Sequence, residues 1–193
     1  VIGRPLYFHG EFSEYLPDWH PWEDYRSFYM AKKSLGGGSI LDQSHIIDLA
    51  HYILGEIKEV YCINDRFSDL QVDADDMAEM MVRFKSGVPG TIHSDMFGRN
   101  HKKFLEIKGT EGNIFWNFYD YSVEVYHAKD KRTEKWSFKK DANEMYTYET
   151  KHFIECVKNN KKPKVALADG IHTMKVILAA EKSSRTRKNV CIG

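Results

Sequence analysis

Apolar residues recur with two periods along this chain, and each period predicts a kind of element. In residues 39–54, Ile40, Leu41, Ile46, Ile47, Ala50, Ile53 and Leu54 fall about three and four apart, the stripe of a helix with one buried face. Gly36, Gly37 and Gly38 precede the stripe and Gly55 follows it. Glycine stops regular structure, admits close backbone approach and is common just past a helix end. Strands show period two. Leu6, Phe8 and Phe12 share one parity in residues 5–12. Residues 58–65 are rich in β-formers. Ala78, Met80, Val82 and Phe84 alternate with Glu79, Met81 and Arg83. A hairpin connection at 85–90 leads into a strand at 91–96, which residues 97–101 are expected to break. Strands at 103–108, 114–118, 122–127 and 135–138 follow, joined by short turns, and 189–192 adds an edge strand.

Two helices close the chain. The first, 143–158, carries Met145, Tyr148, His152, Cys156, Phe153 and Val157 on its apolar side. The second, 167–185, has Leu167, Ile171, Met174 and Leu178 at helical spacing. Strands in a block with one early and two late helices imply an α+β fold: an open, largely antiparallel sheet with helices on one face. The other face would show Tyr61, Ile63, Met77, Met81 and Tyr126, more apolar than solvation requires. A homo-oligomer joined through that sheet face is expected.

Composition narrows the function. The chain has 193 residues, enough for one domain with a sizeable core. Its formal net charge is zero, which argues against a nucleic-acid or acidic-membrane binder. No window reaches the ~18–20 apolar residues of a membrane span. Cys62, Cys156 and Cys191 are widely spaced, without Cys-x-x-Cys. That fits buried thiols in a reducing compartment, the cytoplasm, better than a disulfide or zinc framework. The first residue is Val, and no Gly-x-Gly-x-x-Gly or P-loop is present. The expectation is a fragment of a longer chain.

The candidate chemistry sits on the helix after the glycines. Asp42 and His45 are three apart and neighbours on one helix face. A carboxylate there can fix the imidazole tautomer and raise its pKa, leaving a His able to move a proton near neutral pH. Equally, Asp42 can serve the helix dipole and His45 be a satisfied core residue. Asp42, His45, Asp48 and His51 recur every three residues and are all metal-ligand types. At ~100° per residue such positions spread round the helix, so only two or three could converge. Upstream, residues 13–34 hold Tyr15, Trp19, Trp22, Tyr25, Phe28 and Tyr29. They read either as a lid packed on the core or as the wall of a polar-ligand pocket. Trp19, Trp22, Tyr25 and Arg26 suit a sugar-like ligand, with Arg26 the best single candidate through its planar fork. His93, Asp95 and Arg99 lie at strand ends that could border the pocket or face solvent.

The run Gly36-Gly37-Gly38-x-x-x-Asp42-x-x-His45-x-x-Asp48 resembles the C-terminal domain of the glucose–fructose oxidoreductase, inositol dehydrogenase and MocA family (Gfo/Idh/MocA). The lead-in at 16–26, the hairpin at 105–114 and the closing helices resemble its other segments in order, across nearly the whole chain. The resemblance implies that residues 1–193 form a substrate-binding and oligomerisation domain whose N-terminal Rossmann domain is absent from this chain. It implies NAD or NADP as cofactor of the full-length protein, with none bound by this fragment alone. It implies a dehydrogenase acting on a sugar, nucleotide-sugar or polyol hydroxyl. By position, His45 would be the acid/base, Asp42 its partner or a substrate ligand, and Asp48 structural. Arg26, Tyr25, Trp19, Trp22 and Arg99 would touch substrate, and Gly37 and Gly38 the cofactor. Many members space Asp and His four apart, and the family's Glu-Lys-Pro lysine is missing here. A non-catalytic ligand-binding or dimerisation module is the alternative.

Overall fold

The computed structural model describes residues 1–139 and 141–193, with Ala142 described by its backbone only. Nine strands form one sheet: β1 (Pro5–Tyr15), β2 (Ile57–Asp65), β3 (Met77–Phe84), β4 (Pro89–Asp95), β5 (Phe97–Gly109), β6 (Gly112–Asn117), β7 (Ser122–His127), β8 (Arg132–Ser137) and β9 (Val190–Cys191). Their spatial order is β8-β7-β6-β5-β1-β4-β3-β2-β9. Every pair is antiparallel except β1 with β4, which is parallel. The consecutive meander read from the sequence is therefore split in the middle by β1.

The expected break at 97–101 is absent. The Asp95 carboxylate accepts from the backbone N–H groups of Phe97 and Gly98, at 2.9 and 2.6 Å. β5 starts directly after this turn and pairs with β1 from Tyr15↔Phe97 onward. A partner strand outweighs the polar, glycine-containing composition of this stretch. At the other end of β1, a register shift between Pro5 and Tyr7 accompanies an exposed Leu6, although Leu6 shares the parity of buried Phe8 and Phe12.

The helices are α1 (Ser39–Asp42), α2 (His45–Leu54), α3 (Ala142–Lys158) and α4 (Leu167–Thr186). One apolar core joins Phe8, Phe12, Met80, Val82, Ile92, Leu105 and Ile107 of the sheet to Ile40, Ile46, Ile47, Ala50, Val176 and Ile177 of the helices. Burying such side chains contributes about 1.5–3 kcal/mol each, and this layer fixes where α1 and α2 lie.

The closing helices use other faces than expected. In α4, Leu167, Ile171, Met174 and Leu178 are exposed, while His172, Thr173, Val176, Ile177, Ala179, Ala180 and Ser183 are buried. The smaller side chains let α4 lie along β2, whose outer side β9 pairs only at Glu59 and Val60. There His172 Nε2 accepts from Ile57 N–H at 3.0 Å. Ser183 and Ser184 hydroxyls accept from Cys62 and Asn64 N–H, each at 2.9 Å. Donors of β2 beyond the short β9 pairing are thus satisfied by this helix. In α3, Met145, Tyr148, Phe153 and Val157 are exposed and Cys156 is buried. Its inward contacts go to the turn that follows it, where His152 Nε2 accepts from Lys164 N–H at 3.1 Å. Cys62 is also buried, but Cys191 is exposed, so the thiols do not share one environment.

Candidate active site

The triple glycine builds the start of α1 by close packing. A Cβ on Gly37 would lie 2.4 Å from the carbonyl oxygens of Tyr29 and Met30, and one on Gly38 would lie 2.2 Å from Asp75 Oδ1. Gly38 also has φ +120°, which favours glycine. Asp75 Oδ2 then accepts from Ile40 N–H at 3.0 Å and from the Ser39 hydroxyl at 2.9 Å. The helix N-terminus, a natural anion site, is occupied by the protein's own carboxylate. Gly37 borders a polar cavity lined also by Lys33, Arg66, Asp75 and Arg185.

The helix predicted over 39–54 is broken after Asp42. Gln43 turns inward, fully buried, and its Nε2 donates to the Asp95 carbonyl at 2.8 Å. Backbone bonds tighten across the joint, from Ile46 N–H to Gln43 O and from Ile47 N–H to Ser44 O. The anchor restarts the helix at His45. Asp42 and His45 therefore end one short helix and open the next.

This changes the pair. The Asp42 carboxylate accepts from the Tyr29 hydroxyl. His45 is exposed, with the Phe12 ring centroid 5.9 Å from its own. Burial, and then the Lys103 ammonium, push the His45 pKa down; Asp42 pulls the other way and is outweighed. The expected upward shift is thus reversed. A lowered pKa favours the neutral imidazole, the form able to accept a proton.

Lys103 was not singled out by the sequence reading. It pairs with Phe12 across β1 and β5, on the parity of Leu105 and Ile107. Its ammonium lies 4.2 Å from the Phe12 ring centroid and 4.7 Å from that of Phe118. Nearby, the Tyr119 hydroxyl donates to Glu14. A lysine two residues before buried Leu105, on the core-facing parity of β5, is the available signal.

The other candidates have local partners of their own. Arg26 is exposed and bound to Asp24, Nη2 to Oδ2 at 2.7 Å, and Nη1 donates to Gln71 Oε1 at 3.0 Å. Trp19 and Tyr25 pack on a second small core of Leu16, Met30, Ala31, Val72 and Met96. The Tyr25 hydroxyl accepts from Gln71 N–H. Trp22 is 76% exposed and stacks on His20. These residues form a folded cap over the second core, and the local partners of Arg26 use its fork. Arg99 lies 3.7 Å over the Tyr15 ring. His93 is held between Glu79 and Asp95, at 2.7 and 2.8 Å. Those bonds, Asp95's first, push its pKa up to about 9. Asp48 accepts from the Thr173 hydroxyl and His51 meets Asp169. The four residues of the metal pattern thus turn to different neighbours. Among the described residues no group of three or more His, Cys, Asp or Glu could hold a metal.

The family described as "Oxidoreductase family, C-terminal alpha/beta domain", Gfo/Idh/MocA, matches residues 1–192. The chain belongs to this family. Over 158 residues this Gfo/Idh/MocA domain is 33% identical to the scyllo-inositol 2-dehydrogenase (NAD(+)) of Bacillus subtilis, covering 77% of the chain and 46% of that protein. Over 144 residues it is 30% identical to the levoglucosan dehydrogenase of Pseudarthrobacter phenanthrenivorans, covering 61% of the chain and 36% of that protein. A solved levoglucosan dehydrogenase in complex with NADH matches all of the chain and 59% of its own length, with 26% identity and a TM-score of 0.85. The matches thus span about a third to a half of the curated relatives' length. No described helix is long and apolar enough to cross a membrane.

Proposed function

We propose that this chain is the substrate-facing domain of an NAD(P)-dependent dehydrogenase acting on a hydroxyl of a sugar, nucleotide-sugar or polyol. The carrying observation is the placement of His45 and Asp42 together at the joint after the triple glycine, with the His45 pKa pushed down by burial and then by Lys103. In the oxidative direction His45 takes the hydroxyl proton as the carbinol C–H bond is broken. In the reverse direction the imidazolium returns that proton to the carbonyl oxygen. Asp42 stabilises the charged ring and offers its second oxygen to a neighbouring substrate hydroxyl.

A bound nicotinamide supplies the hydride acceptor or donor. The residues of this chain do not fit the dinucleotide's phosphates at the triple glycine, because Asp75 already caps that helix. We place the phosphates in a Rossmann domain of a longer protein. The length of the relatives supports this, as do the exposed Tyr148, Phe153, Val157, Leu167 and Leu178 of α3 and α4, a surface suited to a covering domain. On the open sheet face, exposed Tyr61, Ile63, Met81 and Tyr126 fit a homodimer contact.

The test is NAD+ and NADP+ reduction by the full-length protein with a panel of inositols, levoglucosan and aldoses. Reduction of either cofactor by one class is expected. No turnover across the panel would favour the ligand-binding or dimerisation module.

A further inference from the structure

The ammonium of Lys103 stands among charges but is bonded to none of them. Glu14 of β1 and Asp42 of α1 are the carboxylates whose fields reach it. Each already accepts a phenol hydroxyl, Glu14 from Tyr119 and Asp42 from Tyr29. His45 of α2 lies on the same side and feels the Lys103 charge. Among the described residues no hydrogen bond or ion pair within 4.0 Å reaches the Lys103 Nζ. Its stem is half-buried and its head rests against the Phe12 and Phe118 rings. Lysine on a surface normally extends its head into water. Here two rings hold it back, which favours the cation but leaves three N–H donors without a protein acceptor. Burial depresses its pKa, which marks the cost of that position.

We propose that Lys103 is a substrate-binding residue, donating to an oxygen of a polyhydroxylated ring whose reacting hydroxyl lies at His45. The inference rests on the site reading above and names the part of the site that reads several adjacent hydroxyls. The ammonium supplies donors. Glu14 and Asp42 supply acceptors beyond their tyrosine bonds. The half-buried Phe118 ring adds an adjoining apolar surface for ring C–H groups. An alcohol with a single hydroxyl satisfies only one of these partners and is discriminated against.

The experiment uses the full-length protein with NAD+ and two probes, myo-inositol and levoglucosan. Lys103→Met keeps the packed stem and removes charge and donors; Lys103→Arg keeps both. In the Met variant the KM of the better probe should rise roughly ten- to hundredfold. The acid limb of kcat/KM should also move to higher pH, because the cation near His45 is gone. The Arg variant should recover part of each. Separately, acetic anhydride labelling read by mass spectrometry should find Lys103 protected in the wild type by the bound probe. Unchanged KM and acid limb in a folded Met variant would overturn the assignment. So would absence of protection by both probes, even in an active enzyme. Protection without turnover of the whole panel on NAD+ or NADP+ would keep Lys103 as a polyol contact and strike the dehydrogenase reading instead. If the Met variant does not fold, the labelling of the wild type decides.

Discussion

The Tyr29 hydroxyl donates to the carboxylate of Asp42. That bond couples the aromatic lead-in before the triple glycine to the first residue of the candidate pair. Burial and then Asp42 push the Tyr29 pKa up to about 12. Of the eleven tyrosines, Tyr29 should be among the last to ionise in an ultraviolet pH titration. Tyr29→Phe should remove one late step. A late phase of unchanged amplitude would show that the phenol is not so held.

Two histidines should give stability opposite slopes with pH. His172 accepts a backbone N–H through Nε2 and so is neutral when folded; burial first, then His51, lowers its pKa. Its contribution is complete above the unfolded value of 6.5 and is lost as pH falls below it. His172→Gln should flatten the acid side of the stability curve. His93 is raised to about 9. Its contribution is complete below 6.5 and is lost as pH rises through about 9. His93→Gln should cost roughly 2 kcal/mol near pH 6 and much less above 9. Urea denaturation across pH measures both slopes.

Ser183 is fully buried, accepting from Cys62 N–H and donating to the Lys188 carbonyl at 2.6 Å. Ser183→Ala leaves a buried donor and a carbonyl unsatisfied and should cost about 1–3 kcal/mol. Ser184→Ala, at a half-buried position, should cost less. Equal losses in urea melts would argue against the edge-capping role of α4.

The open sheet face should control assembly. Light scattering of the full-length protein at micromolar concentration should report a dimer. Met81→Glu with Ile63→Glu should shift it toward monomer with its Tm little changed. A wild-type monomer would remove the sheet-face interface.

Much of this fold was legible as periodicity. The parity of Ala78, Met80, Val82 and Phe84 places β3 correctly, and Ile46, Ile47 and Ala50 mark the buried face of α2. The face of α4 was not legible, because large apolar residues point outward while Ala179, Ala180 and Ser183 pack inward. Side-chain size, which sets how closely a helix approaches an edge strand, is invisible to an apolar stripe. The arrangement of the candidate site was half legible. Asp42 and His45 stood out, but the break anchored by Gln43 and the charge of Lys103 depend on long-range partners. The direction of the His45 shift followed from those partners, not from its own helix. Arg26 looked available for substrate because the sequence does not show that Asp24 and Gln71 bind it.

The most direct measurement is turnover of the full-length His45→Ala variant on the substrate the wild type accepts, followed across pH. Loss of an acid/base residue predicts a fall in kcat of about 10²–10⁴, with the acid limb of the wild-type profile abolished. A fall of less than about tenfold, with that limb retained, would contradict the role assigned to His45.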